Sequence, residues 1–287
     1  MTVETLDNRK KPGMLKDGVD ASKWPWWAII LVAGGILFSI NLIINPKYNE
    51  AFAYLISGVA VTLRVTISAY FLATIIGLLV GLARVSKNPI VYNAATIYVE
   101  VIRGIPMIVL ILYFAYAFIP LVIDGVHWVG EMGLVAIPGS NFFVGVANLS
   151  IRTIPAEVRG ILALAVGYGA FEAEVFRAGI QSIGKGQMEA AKSLGMNYLQ
   201  AMRFIILPQA IRRVLPPLGN DFIALLKDSA LLTVLAINEL TQLGRLRRAS
   251  TFQIIETFNV LAFMYLTMTL LLSVAVRWLE RKMKIEE

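Results

Sequence analysis

Apolar residues in this chain come in long, nearly unbroken runs, separated by short polar, basic or proline-marked stretches. Runs of this kind are the mark of membrane-crossing helices rather than of helices with a single buried face. A hydrocarbon core about 30 Å thick needs roughly 20 helical residues at 1.5 Å rise each. Six stretches approach that length: 27–44, 54–83, 105–120 with its helix starting near Glu100, 155–176, 216–237 and 255–279. Residues 121–154, mixed and punctuated by Gly and Pro, are predicted to form a long external loop. The alternative is a further span over 132–149, which reverses the sidedness of everything after it.

The positions of Lys and Arg give the predicted topology its direction. Arg9, Lys10, Lys11, Lys16 and Lys23 precede the first span, Arg84 and Lys87 follow the second, and Arg177, Lys185, Lys192, Arg203, Arg212 and Arg213 lie between the fourth and fifth. Arg277, Arg281, Lys282 and Lys284 close the chain. Six spans put all of these on one face, which the positive-inside rule assigns to the cytoplasm, together with both termini. Lys47 and Arg152 fall on the other face, as does the cluster Arg245, Arg247 and Arg248, which opposes the rule. One reading of that cluster is guidance of an acidic protein surface. The first span is entered through Trp24, Trp26 and Trp27, rings suited to the headgroup level, and is read as a retained signal anchor.

Composition sharpens this picture by exclusion. The 287 residues are 57% hydrophobic and 16% charged, a balance too apolar for a soluble domain. A net charge of +7 suggests nucleic acid, but the basic residues sit between apolar runs and form no face interleaved with aromatics. With no Cys and one His, His127, thiolate metal sites, Cys nucleophiles and His-based triads are excluded. No catalytic residue and no metal site are predicted. The expected organisation is a tail over 1–26, an anchor helix with a short external link over 27–53, a membrane domain over 54–280 and a tail over 281–287.

Two stretches invite functional readings. Gly179-Ile180-Gln181-Ser182-Ile183-Gly184-Lys185 fits the start of a phosphate-cradling loop, but Gly186 stands where a magnesium-holding hydroxyl belongs, and the stretch leaves a membrane helix rather than a strand. ATP hydrolysis by this chain is not expected. The block 187–195 reads as a short helix of good formers stopped by Gly195, with a second helix from near Asn197 to Pro208. Together they make a helix-break-helix knuckle on the cytoplasmic face.

The string Glu189-Ala190-Ala191, three residues, Gly195, nine residues and Ile205-Ile206-Leu207-Pro208 resembles the EAA motif of permease subunits of bacterial ATP-binding-cassette importers. Further stretches resemble the polar amino-acid branch of that family. They are Val59-Ala60-Val61-Thr62-Leu63-Arg64-Val65-Thr66, Glu100-Val101-Ile102-Arg103-Gly104-Ile105-Pro106, Ala173-Glu174-Val175-Phe176-Arg177, Lys185-Gly186-Gln187 and Leu225-Leu226-Lys227-Asp228-Ser229. Two parts depart from the family pattern: the first span is additional to its five, and the loop 121–154 is longer than usual.

The resemblance implies an all-α, polytopic bundle of the type I importer permease kind, in the bacterial inner membrane. It implies a coupling region over 187–208 in which Glu189, Ala190, Ala191, Gly195, Ile205, Leu207 and Pro208 engage an ATPase subunit. ATP and magnesium then belong to the ATPase partners, and a second permease and an extracytoplasmic amino-acid-binding protein complete the assembly. Ionisable residues inside a membrane line wet paths or pair with one another. Arg64, Glu172, Asp221, Lys227 and Asp228 are the candidates for the substrate path, and Glu174 with Arg177 for a structural ion pair. A carboxylate at 172 suits a substrate ammonium or cationic side chain. The rival is an ion-gradient-driven carrier without ATPase partners, for which no inverted repeat is seen.

Overall fold

The computed structural model describes residues 26–151 and 154–283; the basic residues of the N-terminal tail, Trp24, Arg152 and Lys284 lie outside them. Every regular element in that range is helical. Helix α1 (Trp26–Ile44) and α2 (Pro46–Ala83) are separated by Asn45 alone, whose side chain caps α2 by accepting from the Lys47 N–H at 3.1 Å. Pro46 sits at the first turn, where its missing N–H costs nothing. The expected boundary at residue 54 therefore falls inside one continuous 38-residue helix. Helix α3 (Pro89–Gly104) is capped in the same way by Asn88. It stops before Ile105, held at φ −101° and ψ 131° because the proline that follows disfavours a helical conformation there.

The loop expected over 121–154 is largely helix. Helix α4 (Met107–Tyr113) passes through a π turn at Phe114–Phe118 into α5 (Ile119–Ala136), one apolar rod over Met107–Ala136. Pro120 reads as a breaker in sequence, but it follows directly on the π turn, where the wider coil accommodates a residue that cannot donate. The rod ends before Gly139, which has φ +81°. A short α6 (Asn141–Ala147) then folds back, its backbone 2.5 Å from where a Cβ on Gly130 would lie. The alternative span over 132–149 does not form.

Helix α7 (Ala156–Gln181) is the hub of the molecule. It packs against α2 through Gly77 and Gly81, where an added Cβ would lie 2.7 Å from the Glu172 Cβ and 2.8 Å from the Phe176 Cβ. The main core joins α2, the Met107–Ala136 rod, α7 and the end of α10 through Val65, Ala69, Ile111, Leu164, Tyr168 and Leu225. Short α8 (Lys185–Ser193) and α9 (Tyr198–Ala201), with a second π turn at Met202–Ile206, lead into α10 (Leu207–Asp228). The span expected over 216–237 is thus shifted: its helix begins at Leu207, ends at Asp228 and continues as a 3-10 turn over Ser229–Leu235. Helices α11 (Leu240–Thr251) and α12 (Ile254–Met283) complete the chain.

Among the described residues, four stretches are long and apolar enough to cross a membrane: α1, α2, Met107–Ala136 and α12. Helices α7 and α10, with 26 and 22 residues, have the length but carry more charge. Their neighbours explain this, since both pack against other helices along their length and need not present an apolar surface to lipid. Phe252, between α11 and α12, has φ +59°, a conformation that costs a side-chain-bearing residue about 1–2 kcal/mol.

Candidate coupling corner and transport path

The corner between α8 and α9 is assembled from local turn chemistry. At the end of α8 the Gly195 N–H donates to the Lys192 carbonyl at 2.9 Å, and the Met196 N–H to the Ala191 carbonyl at 3.1 Å. These two bonds form a Schellman stop, with Gly195 at φ +80° where a side chain is strained. Asn197 starts the next helix through a reciprocal box: Oδ1 accepts from the Gln200 N–H, and Gln200 Oε1 accepts from the Asn197 N–H, both at 2.9 Å. The direction of the chain is therefore fixed on both sides of the turn within a few residues.

From that fixed corner apolar side chains project outward. Leu194 is 79% exposed and Leu199 76%, with Tyr198 and Phe204 also exposed. Leu194, Gly195, Met196, Gln200 and Phe204 surround a notch of about 310 Å³. Glu189 and Ala190 are exposed on the same helix, whereas Ala191 faces inward. Beneath, Ile183, Ile206 and Ala210 form a small core with Ile205 against it, and Leu207 and Pro208 open α10. Arg213 Nη1 donates to the Ser182 carbonyl at 2.6 Å, tying α10 to the end of α7 just before α8.

An ion-pair cluster links this end to the rest of the bundle. Arg177 donates to both oxygens of Glu174, and Arg84 Nη1 to Glu174 Oε2 at 2.5 Å. Arg84 also lies 3.8 Å from Glu100, so α2, α3 and α7 are fastened at one level. Arg84 is the member that sequence reasoning missed. Its partner lies 90 residues away, and nothing local announces it.

Two acidic residues of α10, Asp221 and Asp228, face α7. Asp221 and Asp228 line a cavity of about 290 Å³ with Ile105, Met107, Tyr168, Phe171 and Ala224. The Tyr168 hydroxyl donates to Asp228 Oδ2 at 2.8 Å, while Asp221 Oδ2 is buried without a hydrogen-bond partner. Arg103 stacks over Phe171 at 5.5 Å, placing a cation beside the cavity. Glu172 is fully buried behind this region against Gly77, and neither of its carboxylate oxygens has a hydrogen-bond partner among the described residues. Burying a carboxyl group without such a partner is costly.

The remaining candidates stand elsewhere. Arg64 makes a two-pronged contact with Glu157 at 2.8 and 2.7 Å, so its guanidinium is already occupied in the geometry that would grip a carboxylate. Lys227 is exposed while its neighbour Asp228 turns inward, as adjacent residues on a helix must. Among the described residues no group of three or more His, Cys, Asp or Glu is placed to hold a metal ion.

Residues 73–285 match the family described as binding-protein-dependent transport system inner membrane component. This chain belongs to that family. The glutamine transport system permease protein GlnP of Escherichia coli K12 is 34% identical over 235 residues, 82% of this chain and 95% of that protein. The probable glutamine ABC transporter permease protein GlnM of Bacillus subtilis 168 matches to the same extent. The crystal structure of an amino acid ABC transporter with histidines superposes with a TM-score of 0.64 at 36% identity, covering 82% of this chain and 95% of that one. The inward-facing MetNI methionine ABC transporter shares the fold, with a TM-score of 0.59 at 22% identity over 80% and 96% of the two chains. As an inner membrane component of such a system, the chain is a multi-pass permease subunit and not an enzyme. That architecture implies ATPase, permease and binding-protein partners.

Proposed function

We propose that this permease carries polar amino acids inward, receiving them from an extracytoplasmic binding protein and drawing work from cytoplasmic ATPase subunits seated on residues 187–208. Both termini lie on the cytoplasmic side, and a second permease, identical or related, completes the pore. ATP and magnesium reside on the ATPase subunits. The observation that carries this reading is the doubly capped corner at Gly195, whose exposed Leu194 and Leu199 offer a partner an apolar knob of fixed direction.

Closure of the ATPase pair moves the corner, and the rigid turn passes that movement to α10 and, through the Arg213 bond, to α7. The acidic cavity between those helices is where such movement meets a substrate. In this reading Asp221 receives an ammonium or guanidinium, Arg103 lies on the side suited to a carboxylate, and Glu172 stands buried behind them. Glutamine is named for the relatives in Escherichia coli and Bacillus subtilis, and this acidic lining extends the expected range to cationic side chains.

The test is uptake into vesicles holding the full complex, with Asp221→Asn and Glu172→Gln beside the parent. Both variants should lose uptake of cationic amino acids about tenfold more than uptake of glutamine. Equal losses for both substrates would remove the cationic preference from the account.

A further inference from the structure

The three arginines of α11 do not act together. Arg247 is nearly buried, donating to Gln253 Oε1 at 3.0 Å, and its Nη2 lies 3.5 Å from Glu50. It fastens the start of α2 to the turn before α12. Arg245 and Arg248 are exposed, and no acidic residue interrupts Leu240–Thr251. Arg245 Nη1 is aimed by a 3.0 Å bond to Thr233 Oγ1.

The platform beneath them is rigid. The Leu240 N–H donates to Thr62 Oγ1 at 3.1 Å, and Glu239 accepts from the Thr241 and Gln242 N–H groups at 2.8 and 2.6 Å and from the Tyr265 hydroxyl at 3.1 Å. At the far end of α11, Phe252 is 83% exposed at φ +59°, with Ile254 and Ile255 exposed beside it. Phe252 closes α11 as a left-handed stop, its N–H donating to the Arg248 carbonyl at 3.0 Å, and that stop holds the ring outward from the end of the helix.

We propose that Arg245, Arg248 and Phe252 form the docking face for the binding protein: two cations meeting an acidic surface, and the ring entering an apolar pocket between the acids. The proposal rests on the transport reading above. Helix α11 follows the end of α10 opposite the coupling corner, so it lies on the face from which a binding protein arrives.

The complex with its ATPase subunits is reconstituted in nanodiscs, and its ATPase activity is titrated with purified, amino-acid-loaded cognate binding protein at low and high salt. Size-exclusion chromatography checks assembly of each variant. The paired substitution Arg245→Glu with Arg248→Glu should raise the half-stimulating concentration about tenfold at low salt, converging on the parent at high salt. Phe252→Gly removes the ring while relieving the strained backbone. It should therefore raise that concentration about fivefold without lowering the unfolding temperature. Unchanged half-stimulation in both would overturn the docking face. So would loss of the second permease from the purified complex, or a response that follows anionic lipid content instead of the binding protein. A parent that no binding protein stimulates would bring down the transport reading along with the docking face.

Discussion

The coupling corner and the α2–α7 seam are built on opposite principles. The corner depends on residues within one short stretch, Ala191 to Gln200, and leaves its apolar side chains uncovered. The seam depends on residues far apart in sequence, Gly77 against Glu172 and Gly81 against Phe176, and leaves almost nothing uncovered. A surface that must seat in another subunit holds its own shape before that subunit arrives. A seam next to a substrate path needs backbones close enough to exclude lipid, and it obtains that from glycine.

Breaking the seam should have the largest effect. Gly77→Val places side-chain carbon where Glu172 already stands, and should destabilise the fold by about 3 kcal/mol, seen as a lower unfolding temperature and little recovered protein. At the corner, Gly195→Asp puts a charged side chain on a left-handed residue at a cost of about 1 kcal/mol, the low end for a residue with a Cβ. That loss is confined to the corner, so the permease should be recovered from the membrane while ATPase subunits are lost on purification. Asn197→Ala removes half of the capping box, worth about 1 kcal/mol, and should weaken ATPase retention without abolishing it. The smallest effect sharpens the contrast: Gly34 on α1 has nothing within 4 Å of an added Cβ. Gly34→Ala should leave uptake unchanged and stabilise the helix by up to about 1 kcal/mol.

The same contrast explains what the sequence made legible. Gly195, Asn197 and the run 187–208 announce the corner because helix stops and caps are local chemistry. Long apolar runs announce α1, α2 and α12 because lipid selects for them. Helices α7 and α10 were harder to bound because protein rather than lipid covers them, and the end of α10 at Asp228 is followed by an equally apolar 3-10 turn. Pro120 was misleading because a π turn absorbs it. The pair Gly77 and Gly81 has a spacing common by chance, and only α7 gives it meaning. Tyr168 gave no signal at all, since Asp228, which it holds, lies 60 residues away. Glu239 was readable in principle, standing as an N-cap before the amphipathic stretch 240–251.

Purification of the tagged chain in mild detergent shows whether residues 187–208 transmit work from an ATPase subunit. An ATPase subunit should be recovered with the parent and lost with Glu189→Lys and with Gly195→Asp, while the permease itself remains in the membrane fraction. Equal recovery of the ATPase with all three chains would contradict the coupling corner.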